Sequence, residues 1–387
     1  MKTLRVGVIG AGMMGRQHVE AARRIPGVEV VALADANAAL AARTCEELCI
    51  PGCFADYRQM LDEAAPDAVH NCTPNNLHFE INRELLRRGV NVYCEKPLAN
   101  TSAETAELCA LAEAAGVKAG VNFNYRQNAM VREMHERAHR VDDDPAENWG
   151  RTYLVRGHYI QDWMMYDSDY NWRCDPAVGG PSRTVADVGS HWFDTVQFIT
   201  GKRIVRVNAE LATVLPQRKR FAAQGATFAG QTGGAYELVD IGTEDAAFVM
   251  MEFEDGVKGI VTLSQVTGGH KNDLEISVDG SNYSMTWRQE EADKLWIGAR
   301  PFGTIQKHAG PEMLQGDAVR YATLPSGHPV GWHDALRNGI REFYAAVRGG
   351  APDNYATFRD GDQVVRIVEA CLKSSREKKW ADVEVPR

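Results

Sequence analysis

Residues Leu4 to Asp35 restrict what this chain can fold into more than any other stretch. An apolar strand, Leu4-Arg5-Val6-Gly7-Val8-Ile9, runs into Gly10-Ala11-Gly12-Met13-Met14-Gly15, a helix extends to about Ile25, and Val28 to Asp35 reads as a second strand. In a strand–turn–helix of this kind the first glycine (Gly10) permits the tight turn. The second (Gly12) lets backbone approach a pyrophosphate, and the third (Gly15) lets the helix pack close on the strand. The helix start at Met13 and Met14 offers free amides and the positive end of a dipole to phosphates. Asp35 ends the second strand at the interval where an acid meets ribose hydroxyls, and its charge repels a 2′-phosphate. The stretch predicts a dinucleotide site that takes NAD in preference to NADP.

The chain has 387 residues, enough for two domains, and its 44% hydrophobic content supports a sizeable core. A formal charge of -9 provides no electrostatic footprint for nucleic acid or an anionic membrane surface. The first strand begins almost at Met1 and no later apolar run reaches spanning length, so neither a secretory leader nor a membrane span is expected, and the expected location is cytoplasmic. The eight cysteines contain no C-x-x-C pair, and their spacing matches no zinc finger or ribbon. They are expected to be reduced, mostly core thiols, with no metal.

Beyond Asp35, strands at 53–54, 67–72, 91–94 and 117–123 alternate with helices at about 36–48, 57–62, 77–88 and 101–115. That alternation predicts a doubly wound parallel sheet, a Rossmann domain over residues 1–124. Ligands of such sheets bind beyond the carboxyl ends of the strands, where Gly10, Asp35, Thr73, Lys96 and Asn124 fall. From about 125 the pattern changes. A helix at 126–140 and the acidic loop Asp142-Asp143-Asp144-Pro145 lead into strands at 152–161, 203–214, 246–253, 257–266, 273–278 and 282–288. Asp255-Gly256 and Asp279-Gly280 sit at hairpin spacing. The expected fold class is therefore α/β plus α+β, with residues 125–387 forming an open, largely antiparallel sheet domain for substrate binding and oligomerisation. The sheet's uncovered face predicts a homodimer or homotetramer. Residues 215–245 and 300–330 read as long functional loops.

Lys96 stands between Glu95 and Pro97 where a buried strand leaves the sheet. Beside a cationic nicotinamide, a lysine loses proton affinity and can orient or deprotonate a hydroxyl. A second candidate is the helix at 183–200. Val185, Val188, Trp192, Val196 and Ile199 form its apolar stripe, and Asp187, His191 and Asp194 share the opposite side. A histidine with an aspartate one turn away is held in one tautomer and suits a general base.

The glycine turn, Thr73-Pro74-Asn75 with His78 after it, Glu95-Lys96-Pro97, and Asp187-Val188-Gly189-Ser190-His191 together resemble the glucose-fructose oxidoreductase, inositol dehydrogenase and rhizopine-catabolism (Gfo/Idh/MocA) family over nearly the whole chain. The resemblance implies Lys96, Asp187 and His191 as the catalytic set, with Thr73, Pro74, Asn75, His78 and Glu95 lining the nicotinamide. It also implies a Rossmann domain followed by an open sheet domain used for oligomerisation. Phe123-Asn124-Tyr125-Arg126, Tyr159-Ile160-Gln161-Asp162-Trp163, Trp172-Arg173 and Phe358-Arg359-Asp360-Gly361 are similar to the levoglucosan and glycoside 3-dehydrogenase branch. Aromatic faces stack on sugar rings while Gln, Asp and Arg bind hydroxyls. Asn124, Tyr125, Arg126, Gln161, Asp162, Trp163, Trp172 and Arg173 are thus expected substrate contacts. Gly180-Pro181-Ser182-Arg183-Thr184 departs from the family pattern, which often has a third glycine and a small apolar run there.

The expected reaction is NAD-dependent oxidation of a ring hydroxyl of a sugar, glycoside or cyclitol. His191 takes the hydroxyl proton and Lys96 polarises the oxygen. Two alternatives stand beside it: a glycosidase using tightly held NAD in a closed redox cycle, and a non-catalytic NAD(P)-sensing regulator.

Overall fold

The computed structural model describes residues 3–142, 147–222, 234–350 and 354–384. The chain divides into two compact units, Met1–Asn124 with His333–Asp362, and Tyr125–Trp332 with Gln363–Arg387. Residues 333–362 thus group with the first unit rather than with the span that precedes them.

The first unit runs β1 (Leu4–Ile9), α1 (Met13–Arg23), β2 (Val28–Ala34), α2 (Ala38–Glu47), β3 (Gly52–Phe54), α3 (Tyr57–Ala64), β4 (Ala68–Asn71), α4 (Asn75–Arg87), β5 (Asn91–Cys94), α5 (Ser102–Ala115) and β6 (Ala119–Val121). Its six strands pair in parallel in the order β3-β2-β1-β4-β5-β6. Val6, Val8, Leu33, Val69, Val92 and Val121 are fully buried, as parallel strands covered on both faces require. The order reverses between β1 and β4, and that switch point at the carboxyl ends is where an open α/β sheet receives a dinucleotide. Thr101 caps α5 in a reciprocal capping box with Glu104.

The second unit begins with a 3-10 turn and α6 (Ala129–His139), followed by β7 (Thr152–Ile160), α7 (Pro176–Gly179) and α8 (Ser190–Thr200). Strands β8 (Ile204–Ala212), β9 (Gln217–Phe221), β10 (Tyr236–Asp240), β11 (Ala246–Phe253), β12 (Lys258–Ser264), β13 (Asp273–Gly280), β14 (Ser284–Arg288), β15 (Lys294–Ala299) and β16 (Gly303–His308) follow. Helix α9 (Trp332–Val347) and the first residues of α10 (Phe358–Glu377) group with the first unit, while the rest of α10 and the short β17 (Ala381–Asp382) belong to the second. Nine strands form one sheet in the order β16-β15-β14-β13-β7-β12-β11-β8-β17. Every neighbouring pair is antiparallel except β7 with β12. One face carries the core: Val155, Val249, Met251, Val261, Leu263, Ile276 and Trp287 pack with Trp192, Val196 and Ile199 of α8 and Met130 and Met134 of α6. The other face leaves Leu154, Phe248, Met250, Ile260 and Trp296 exposed.

Some local expectations change. Asp279-Gly280 is not the hairpin turn; both residues end β13, and Gly280 pairs back to Tyr283 across the turn. The glycine is needed because a Cβ there would strike the Trp149 indole. The 215–245 loop contains the antiparallel β9–β10 ribbon, and 300–330 contains β16 and a 3-10 turn at Gly316–Tyr321. Residues 223–233 and Asp143, Asp144 and Pro145 of the acidic run lie outside the described residues. All eight cysteines are free thiols, but only Cys45, Cys94, Cys174 and Cys371 are buried, and Cys49 and Cys53 are exposed. Among the described residues no helix is long and apolar enough to cross a membrane, and no His/Cys/Asp/Glu cluster could hold a metal.

Candidate active site

At the turn after β1, Gly10 has φ +100, and a Cβ there would lie 2.6 Å from the Cys72 carbonyl oxygen. A Cβ on Gly15 would strike the Gly10 carbonyl, so the close seating of α1 on β1 demands glycine. Gly12 is different: a Cβ would meet nothing of the protein within 4 Å. It is the N-cap of α1, whose first turn has no side-chain cap and no acid. Uncapped amides at Met13 and Met14 behind an open glycine are the donors that a pyrophosphate takes up. Asp35 is anchored rather than dangling, since its Oδ2 accepts Ala11 N–H at 2.8 Å and its Oδ1 accepts Asn37 N–H at 2.8 Å. The carboxylate is thereby held at the end of β2, beside the glycine turn. These residues fit a dinucleotide.

Two further turns leave the same end of the sheet. Thr73 follows β4 and donates its hydroxyl to Asn71 Oδ1 at 2.7 Å, Pro74 is the N-cap of α4, and the half-buried Asn75 opens that helix. His78 is fully buried, with Nδ1 2.7 Å from the Pro97 carbonyl and Nε2 2.8 Å from the Thr73 carbonyl. Its ring braces the Thr73 turn against the turn at Lys96 and Pro97, and burial holds its pKa below the ordinary histidine value. Lys96 is half-buried at the end of β5. The neighbouring Glu95 turns its carboxylate inward. Oε1 accepts from His18 Nε2 at 2.8 Å and Asn122 Nδ2 at 2.6 Å, and Oε2 lies 3.3 Å from Lys96 N. Burial alone would raise the Glu95 pKa; the His18 and Asn122 hydrogen bonds and the Lys96 charge hold it at about 2. Asn124 is buried, and its Nδ2 has no hydrogen-bond partner among the described residues.

In the second unit, a π-type turn at Val185–Gly189 precedes α8. Inserted π turns recur at functional sites because they re-aim side chains. Here the turn disrupts the simple i, i+4 relation of Asp187 to His191. The helix is also buried nearly all round, not along one stripe: His191 is 9% exposed and Asp194 1%. Asp194 is spent on a two-pronged ion pair with Arg126, whose Nε lies at 2.9 Å. Arg126 therefore ties α8 to the 3-10 turn that opens the second unit.

Asp187 Oδ2 accepts Gln265 Nε2–H at 2.8 Å, and its Oδ1 lies 3.5 Å from Arg173 Nε. The Arg173 guanidinium sits 4.4 Å from the Trp172 ring centroid and 5.8 Å from that of Trp163. Four expected residues thus form one cluster. Tyr125 packs edge-on against His191 with centroids 4.8 Å apart. Its hydroxyl lies 3.0 Å from that of Tyr159 and accepts Asn272 Nδ2–H at 2.9 Å. Asn272 Oδ1 accepts Gln161 Nε2–H at 3.0 Å, and Gln161 Oε1 accepts the Trp163 indole N–H at 3.0 Å. Burial and the nearby Asp187 charge push both phenol pKa values up, so they remain hydroxyls. Asp162 faces away from this chain, gripping Lys271 Nζ at 2.7 Å and Gly269 N–H at 3.0 Å. Gln265 and Asn272 carry no motif, so nothing in the sequence singles them out; Tyr159 is visible only as part of its run.

The departure at Ser182-Arg183-Thr184 has a counterpart in the fold. Ser182 Oγ donates to Glu244 Oε1 at 2.6 Å, Thr184 Oγ1 to the Glu244 carbonyl at 2.7 Å, and Arg183 pairs with Asp245. Arg218 joins Asp245 at 2.7 Å and donates to the carbonyls of Met164, Tyr166 and Asp169. A buried charged cluster thus anchors both the start of the Asp187 turn and the loop that bears Trp163.

Residues 4–123 match the family model described as an oxidoreductase family with an NAD-binding Rossmann fold, and residues 146–286 match the GFO/IDH/MocA C-terminal domain. A levoglucosan dehydrogenase of Pseudarthrobacter phenanthrenivorans is 27% identical over 99% of both chains. Inositol 2-dehydrogenase 2 of Saccharopolyspora erythraea is 27% identical over 99% of this chain and 96% of the relative. The solved structure of a levoglucosan dehydrogenase in complex with NADH and L-sorbose superposes with a TM-score of 0.88 at 25% identity, covering 100% of both chains. By its glycine turn, its two-part architecture and these matches, the chain belongs to the Gfo/Idh/MocA family of NAD-binding oxidoreductases.

Proposed function

We propose that this protein is an NAD-dependent dehydrogenase acting on a ring hydroxyl of a sugar, glycoside or cyclitol, or on the matching ketone in reverse, with Lys96, Asp187 and His191 as its catalytic set. The observation that carries the reading is the arrangement around Asp187 and His191. A half-buried carboxylate is fixed by Gln265 and Arg173, two tryptophans flank that arginine, and a histidine stands against two phenols joined to Asn272 and Gln161. Flat aromatic faces beside amide and guanidinium donors suit a polyhydroxylated ring. The relatives named for levoglucosan and inositol support the same class.

In this mechanism Gly12, Met13, Met14 and Asp35 would hold the dinucleotide, and Thr73, Pro74, Asn75 and Lys96 would border its nicotinamide half. NAD supplies the hydride acceptor. His191 removes the hydroxyl proton, the Asp187 carboxylate favours the imidazolium that results, and the Lys96 ammonium polarises the same oxygen. The test is nicotinamide absorbance with NAD or NADP and a panel of anhydrosugars, aryl glucosides, hexoses and inositols. NADH should grow with one substrate class. Substrate cleavage without net NADH would instead indicate the closed redox cycle.

The open sheet face supports assembly as a homodimer or homotetramer. Met250 of β11 lies directly opposite Ile260 of β12, with Phe248 and Leu154 on the flanking positions, and such a patch is covered in stable oligomers. An Ile260→Lys protein is expected to elute as monomer while the wild type elutes as dimer or larger, read by light scattering; unchanged mass would remove this face from the interface. A cytoplasmic location, where NAD is at hand, fits the acidic chain.

A further inference from the structure

Between Trp163 and His191 runs a chain of side-chain hydrogen bonds whose direction is set at one end. The indole N–H of Trp163 can only donate, and it meets Gln161 Oε1 at 3.0 Å. That contact fixes which end of the Gln161 amide is oxygen, so the other end, Nε2, donates to Asn272 Oδ1 at 3.0 Å. Asn272 Oδ1 also accepts the Tyr159 hydroxyl at 2.5 Å, which leaves Nδ2 to donate to Tyr125 Oη at 2.9 Å. The Tyr125 ring meets that of His191 with centroids 4.8 Å apart, and the Tyr159 ring lies 6.4 Å from it. Gln161, Tyr159 and Tyr125 are buried, and Asn272 is tied through its backbone N–H to Glu290 Oε1 at 2.8 Å, so the chain has little room to shift. Without the indole the same chain could run either way. An amide turned over exchanges its oxygen and its NH2 with almost no change of shape, and a phenol both donates and accepts. Turned over together, the Gln161 and Asn272 amides would still bond to each other, and Asn272 to both phenols. Only the Trp163 N–H would then face an NH2 group. That arrangement leaves a buried network half satisfied, so a single donor-only group excludes it.

We propose that Trp163 selects which ring hydroxyl is oxidised, and does so through its N–H as well as its ring. By locking the Gln161–Asn272–Tyr125 chain, it holds the aromatic face on which a sugar stacks and the His191 base at one fixed separation. This role rests on the reading that the protein oxidises a ring hydroxyl with His191 as base. Adjacent hydroxyls of a pyranose or cyclitol lie close together, so a base and a platform free to shift against each other present more than one of them. A misplacement of about 1 Å already costs on the order of 10²-fold in rate. Trp163 thereby acts both as a substrate contact and as a positioning residue, and Gln161 and Asn272 are positioning residues acting through Tyr125.

The test uses Trp163→Phe, which keeps a flat ring and removes the N–H donor, and Gln161→Met, which removes the next link at similar length. The substrate is the sugar, glycoside or cyclitol that wild type turns over with NAD, and the keto products are assigned by NMR. Removing the lock should lower kcat about tenfold in either variant and turn one keto product into a mixture of positions. KM for Trp163→Phe should change by no more than about threefold, because the stacking face is kept. The double variant should be no slower than the slower single, since both changes cut the same chain. Gln161→Met carries the same readouts if Trp163→Phe does not fold. A raised KM with one unaltered product, as stacking alone would give, overturns the proposal. So do a lowered melting temperature with an unaltered product, effects that multiply in the double variant, and a mixture already present in wild type. NADH from no ring alcohol with wild type overturns the oxidation reading itself; one product that persists in both variants overturns only the role given to Trp163.

Discussion

A His191→Asn protein is expected to turn over its sugar substrate roughly 10²–10⁴-fold more slowly than wild type, with NAD affinity within about twofold, since that is the usual contribution of a positioned general base. Asparagine preserves a polar side chain of moderate size against the Tyr125 ring but cannot accept a proton. The acidic limb of the kcat/KM profile, which reports the free enzyme's base, should vanish in the same protein. Single-turnover absorbance at saturating substrate checks the first expectation, and a pH series checks the second. A loss of less than tenfold would move the base elsewhere, with Lys96 the next candidate.

An Asp245→Ala protein is expected to lose about 3–5 kcal/mol of stability, because the substitution strands the guanidiniums of Arg183 and Arg218, both of whose side chains are 0% exposed. Total stabilities of roughly 5–15 kcal/mol leave little reserve against such a loss. At 2–4 °C per kcal/mol for units of this size, the melting temperature should fall by roughly 10 °C. Leu215 N–H, which donates to Asp245 Oδ2 at 2.8 Å, loses its acceptor as well. Burial works against ionisation of Asp245, but Arg183 and Arg218 bring its pKa below the ordinary value. A depressed carboxylate contributes stability that is complete above the unfolded-state value of about 4 and is lost as pH falls through the lower folded value. Wild type should therefore destabilise steeply below about pH 4, and Asp245→Ala should show a shallower acid dependence in calorimetry.

Much of the first unit was legible because its signals are local. Gly10, Gly12 and Gly15 declare their roles through spacing alone, and Thr101 marks the start of α5 at the next residue. The second unit was legible as strands but not as a site. Regular helix geometry puts Asp187 and His191 one turn apart, and the π-type turn that alters this carries no sequence mark. Asp194 reads as part of a polar face because nothing in the chain says that Arg126, 68 positions away, will bury with it. Gln265 and Asn272 meet the site only through strand register, which sets long-range neighbours that no short window contains.

The strand order of the large sheet also sets a schedule for the nascent chain. Its central pair joins β7 to β12 with about a hundred residues between them, and its β8 edge waits for Ala381 and Asp382. The parallel sheet unit, complete in strands by Val121, still awaits residues 333–362. Neither unit can finish folding on the ribosome before nearly all of the chain has emerged. Truncations from the carboxyl end should therefore be far less tolerated than the shortness of β17 suggests, and a chaperone encounter during synthesis meets one complete sheet still lacking its last residues and one half-built sheet, rather than one finished domain and one to come.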